Sequence, residues 1–192
     1  MCVAQTAMAD TAFVVPAHIV DDRAPLAFVS DAPNPALHGH SGAGNPDIRR
    51  DYQRTEARLP TIRSCLTEDG HPVDGLDLAR LDWRRLDTDA ALEVCFFRVL
   101  SLIGPDQFAA YFAALSFDLS GGVEVEQMLS YDPPIRRIVT AYSAGYTRER
   151  WAGRNAPVQW IFRRAPLARS ASLQVNVAGD EIVLVDFTLN TL

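Results

Sequence analysis

The sequence predicts an α+β fold: a helical front half of two or three helices packed on a C-terminal antiparallel sheet of at least three strands that ends in a hairpin. Three observations predict it. The longest apolar run, Ala90 to Ile103, has helical spacing between a recognisable start and stop. Beyond Asn155 the apolar period changes from helical to two. Ala178, Gly179 and Asp180 form a tight turn between two alternating runs, so residues 172–189 carry the strongest hairpin signature in the chain.

The elements follow in order. From Thr11 to Val29, short apolar runs alternate with prolines, a pattern suited to edge strands because proline cannot donate to a central ladder. Residues 31–48 are nearly all turn formers and predict a long loop or arm. Arg49 to Arg63 is polar and arginine-rich and predicts a short helix ending before Pro60. Leu76, Ala79, Trp83 and Leu86 fall at helical spacing and predict a short amphipathic helix, although the alternation in LDLARLDW also fits a strand. In the central helix Leu92, Cys95, Phe96, Val99 and Ile103 share one face, Asp87 or Thr88 caps the start, and Gly104-Pro105 ends it. Pro105 then opens another helix, with Phe108, Tyr111, Phe112 and Leu115 on one side. Ser120-Gly121-Gly122 reads as a break, and Val123 to Leu129 fits helix and strand equally. Ile135, Ile138, Val139, Tyr142 and Tyr146 predict a further helix. Alternating runs at 158–163, 172–177 and 183–189 predict the strands.

With 192 residues and 48% hydrophobic content, the chain suits one core, read as a Pro/Gly-rich arm over 1–64 and a single α+β domain over 65–192. No apolar run reaches the roughly 20 residues of a membrane-spanning helix. All 18 basic residues are arginine, and the net charge of -6 is unevenly spread. Residues 1–65, 66–134 and 135–192 carry -1, -9 and +4, so an acidic middle precedes a basic end. The first ten residues lack the basic and apolar regions of a secretory signal, which reads as a cytoplasmic chain. A start codon further upstream, with cleavage after Ala9, would make it an exported one. Removing those residues also leaves an even cysteine pair, Cys65 and Cys95, available for a disulfide, against the simpler expectation of two buried thiols.

Catalytic and metal patterns are sparse. The sequence has no nucleophile elbow, zinc-protease helix, phosphate loop or dinucleotide fingerprint. His38 and His40 give two imidazoles where a closed zinc site takes roughly four protein ligands, and Asp74, Asp77, Asp82, Asp87 and Asp89 lack the order of a calcium loop, so no metal site is assigned. Cys95 with His71 would make a nucleophile and base, but Cys95 stands where burial is expected. Asp186 interrupts the apolar run EIVLVDFTL on the face shared by Ile182 and Leu184, and is the candidate catalytic carboxylate if it lines a cavity. Arg98 is the other misfit, a charge within the central helix, explained either by snorkelling to water or by pairing with a buried acid such as Asp186. Residues 136–169 hold 8 arginines interleaved with Tyr142, Tyr146, Trp151 and Trp160, which makes Arg136, Arg137, Arg148, Arg150 and Arg154 the candidate ligand- or anion-binding set. A sequence pI near 5.1 argues against a dedicated nucleic-acid binder.

The predicted order of helices and sheet is similar, in architecture, to folds of the nuclear transport factor 2 kind. Such folds hold a cone-shaped ligand pocket, and the likeness implies a pocket around Asp186. The leading expectation is a small non-catalytic protein, without a cofactor, that binds a protein partner or a small ligand. A small-molecule enzyme using Asp186 is the alternative, and anion or nucleic-acid binding through the arginine segment is the third reading.

Overall fold

In a computed structural model of the chain, the described residues are 13–16, 45–73, 75–129, 135–147, 168–179 and 181–191. Three helices, α1 (Pro46–Arg58), α2 (Asp89–Ile103) and α3 (Phe108–Ala114), pack on a four-stranded antiparallel sheet. Its strands are β3 (Asp118–Leu129), β4 (Ile135–Thr147), β5 (Ala168–Ala178) and β6 (Glu181–Thr191), hydrogen-bonded in that order. A separate small pair joins β1 (Val14–Pro16) to β2 (Gly75–Asp77). The fold is α+β, as the sequence predicts.

Helix α2 is the centre. The Thr88 side chain accepts from Ala91 N at 3.1 Å, which satisfies one of the amides left open by the first turn. Gly104 stops the helix at φ +76, a conformation that a side chain would strain. Between these ends every residue except Asp89 and Arg98 is buried, as expected for a helix apolar on all sides. Phe96 stacks on Phe112 of α3 and meets Trp83 and Phe117 edge-on, so the aromatic side chains lock α2 to α3 and to the start of the sheet. Cys95 is bonded to Cys65, and both are fully buried. The pair is a disulfide and not two free thiols; it clips the turn at 62–65 onto α2. Tyr52, Leu59 and Ile62 enter the same core from α1 and the segment after it.

Three segments depart from their expected structure, each for a local reason. Residues 75–86 form strand β2 followed by turns and no helix. Asp77 is buried there and accepts from Phe13 N and Ala79 N, both at 3.1 Å, so its carboxylate replaces helical hydrogen bonds. Residues 135–147 form β4 instead of a helix. Tyr142, Ala144 and Tyr146 face the core, whereas Val139 is buried on the opposite face with Ala178 and Val183. A strand that buries one face at one end and the other face at the other end mimics helical spacing. Gly121-Gly122 lies within β3 as a bulge and does not break the chain. Gly121 has φ +112, and a Cβ there would come within 2.5 Å of the Ala141 carbonyl oxygen.

A second bulge falls in β6, between the pairs Asn176–Leu184 and Val177–Ile182. It turns Ile182 into the main core and Val183 to the outer cluster. Asp186 therefore shares its outer face with Leu184 but not with Ile182, and lies opposite Gln174.

Candidate functional site

Two features of the described residues stand out: an acidic recess beside β6, and a ribbon formed by the far ends of β3 and β4. The recess collects Asp47, Asp51 and Tyr52 from α1, Asp89, Ala90 and Glu93 from α2, and Asp186 and Phe187 from β6, around about 400 Å³. It opens where the N-terminal turns of α1 and α2 converge, and carboxylates favour such turns because they complement the exposed amide dipoles. Asn45 caps α1 by accepting from Asp47 N at 2.9 Å, and Arg50 pairs with Asp47 at 3.2 Å. Desolvation, and then the negative charge of Asp186, push the Asp89 carboxyl above its ordinary value.

Glu93 has a structural task in this recess. It is buried, and its Oε1 accepts from Phe187 N at 2.9 Å, so a helix side chain caps an outward amide of the sheet's edge strand. Sequence reasoning gave Glu93 no role; the clue was an acid in an otherwise apolar helix. Chemically the recess attracts cations and repels anions. No group of three or more His, Cys, Asp or Glu able to hold a metal occurs among the described residues. Asp186 thus stands half-buried among carboxylates at the sheet's edge. The core-facing side of the sheet, where a cone-shaped pocket would open, carries the buried Tyr146, Leu173, Val175, Val185 and Phe187.

Arg98 does not pair with Asp186. It donates to the carbonyl oxygen of Leu59, the residue that closes α1, and has Glu56 as its charged neighbour. Burial lowers the Arg98 pKa and raises that of Glu56, while each partner's charge opposes the shift. The misfit charge in α2 thereby ties two helices together.

The candidate anion set divides. Arg136 and Arg137 are neighbours on a strand and point to opposite faces, so they cannot converge on one anion. Arg136 lies 3.7 Å from Glu126, and Arg137 bonds Glu181 at 2.7 Å. Arg148, Arg150 and Arg154 lie outside the described residues, as do His38, His40, Asp74, the sequence around Ala9 and the run at 158–163.

The ribbon arises from strand lengths. Pairing between β4 and β5 starts at Thr140–Val177, but β4 continues to pair with β3 back to Ile135–Leu129. Residues 125–129 and 135–139 therefore extend past the four-stranded sheet as a pair. Of the seven exposed large hydrophobics among the described residues, four lie here, Val125, Met128, Ile135 and Ile138, and a fifth, Val123, adjoins them on β3. Ile138 is 68% exposed and Val123 60%. The register puts Val123, Val125 and Ile135 on one face, and Met128 and Ile138 on the other with Glu124, Glu126 and Arg136. Gln127 anchors the ribbon by accepting from Asn176 Nδ2 at 2.6 Å across the sheet.

The two edges of the sheet contrast. Along β6, α2 packs alongside and Glu93 caps Phe187. Among the described strands β3 has β4 on one side and no strand on the other, which leaves alternate backbone amides and carbonyls directed outward. Comparison with protein-family models, with curated proteins and with solved structures finds no match to this chain.

Proposed function

We propose that this chain is a non-catalytic binding protein whose working surface for a protein partner is the ribbon of β3 and β4. The observation that carries the reading is the concentration of exposed apolar side chains on that ribbon, on both of its faces. Scattered exposed hydrophobics are ordinary, but a contiguous group on an open sheet edge marks an interaction site and would otherwise be an aggregation hazard. A two-stranded ribbon is also marginal by itself, so burial against a partner would add the apolar contacts it lacks. The acidic recess supports this less well, because Asp47 and Asp89 are accounted for by helix starts and Glu93 by the Phe187 amide.

The test places a photo-crosslinking residue at 125 or 138, with the exposed position 85 as control, in the cells that make the protein. Discrete adducts at the two ribbon positions and none at 85 are expected. Adducts equally abundant at all three positions, or absent from the ribbon, would overturn the reading.

A further inference from the structure

Resting on that ribbon reading, we infer that the open edge of β3 takes up an extended segment of a partner protein as an added strand, one alternating apolar with basic residues. Strand addition needs an edge whose outward backbone groups have no neighbouring strand, and side chains that alternate between two chemistries. β3 offers both. Between the bulge at Gly121 and Met128 it presents Val123 and Val125 on one face, and Glu124 and Glu126 on the other. All four are exposed, and each of these side chains would lie beside a same-face neighbour on an added strand.

Charge decides the occupant. In the registers that overlay Val123–Met128 most fully, a second copy of β3 is a poor fit: antiparallel pairing centred on Val125 sets Glu124 against Glu126 of the other copy, and centring on either glutamate sets it against itself. Like charges directly opposite one another destabilise a strand pair. An incoming strand with arginine or lysine over Glu124 and Glu126, and apolar residues over Val123 and Val125, reverses the sign of those contacts. Arg136 already lies 3.7 Å from Glu126 on the β4 side, so this face of the ribbon accommodates cations beside its glutamates. The chain's net charge of -6 steers the same class of partner towards it.

The probe is a synthetic octapeptide alternating valine and arginine, added to the full chain at physiological salt. It is compared with an octapeptide alternating valine and glutamate, and with the arginine peptide N-methylated on every second amide, in both registers. The N-methylated peptides keep the charge and lose the backbone donors on one edge. Fluorescence anisotropy reads affinity, and amide chemical shifts read the place of binding. Binding of the arginine peptide with shifts confined to β3 and β4, loss of binding in one N-methylated register, and roughly five- to tenfold weakening by the double substitution E124Q/E126Q are expected.

Equal binding of the N-methylated peptides in both registers would reduce the interaction to charge attraction and overturn strand addition. Equal binding of the glutamate peptide would overturn the basic partner. If no peptide binds while the photo-crosslinks at 125 and 138 form, the strand proposal fails and the ribbon reading stands. If the crosslinks are also absent, both fail.

Discussion

Replacing Cys65 and Cys95 together with alanine should lower stability by roughly 3–5 kcal/mol. The sulfurs join positions 30 residues apart. Closing a loop of that length in the unfolded chain removes about 12 cal/mol/K of entropy, or about 3.6 kcal/mol at 25 °C. Both residues are fully buried, so the two missing sulfur atoms leave a small void worth roughly 1 kcal/mol more. For a chain of 192 residues, where each kcal/mol moves the melting temperature by about 2–4 °C, the drop is on the order of 10 °C. Urea denaturation of parent and variant gives the energy, and a thiol count on the denatured but unreduced parent gives the covalent state. One reactive thiol, Cys2, is expected there. Three reactive thiols, or a variant within about 1 kcal/mol of the parent, would refute the reasoning.

Further outcomes follow from the same contacts. Glu93→Ala strips the Phe187 amide of its acceptor and should cost roughly 1–3 kcal/mol in urea denaturation, with Glu93→Gln retaining much of it because an amide oxygen still accepts. Arg98→Leu should destabilise by about 1–3 kcal/mol, since it removes the donor to the Leu59 carbonyl and leaves the half-buried Glu56 without its charged neighbour; an unchanged midpoint would remove Arg98 from the account. Asp89 holds its proton more tightly when folded, so the stability it contributes is present below its ordinary value of 3.8 and is lost as pH rises through the raised folded value. Asp89→Asn should therefore be more stable than the parent at pH 7 and equal to it below pH 3.8, as read by melting temperature against pH. Exchanging Met128 and Ile135 for threonine should leave stability within about 0.5 kcal/mol while abolishing the crosslinks formed from 125 and 138; a larger loss would make these side chains part of the fold.

Much of the fold was legible because its local rules agree with its tertiary structure. The Thr88 cap, the apolar run and Gly104-Pro105 delimit α2 without reference to anything distant, and the turn at Gly179 fixes the last hairpin. β4 was not legible as a strand, since Val139 is buried with Ala178 and Val183 while Tyr142 and Tyr146 point into the main core. That change of face depends on where β5 stops, which the sequence of β4 does not record. The segment at 75–86 hid its structure in one side chain, Asp77, whose two backbone donors come from opposite directions. Of the candidate residues, Asp186 lines an open recess, and its neighbours Asp47, Asp51 and Asp89 come from two helices whose meeting no spacing reveals. The ribbon eluded the sequence for the same reason. Val125 and Ile138 look like core residues in one dimension, and only the strand register shows that they extend past the four-stranded part of the sheet.

Amide hydrogen exchange along the two edge strands tests the central claim most directly. In the free chain the outward-facing amides among Val123–Met128 should exchange on the order of a hundredfold faster than the Phe187 amide, which Glu93 holds. Addition of the valine–arginine peptide should then slow them. Slow exchange along β3 in the free chain, matching that of β6, would mean that its edge is already closed and would contradict the account.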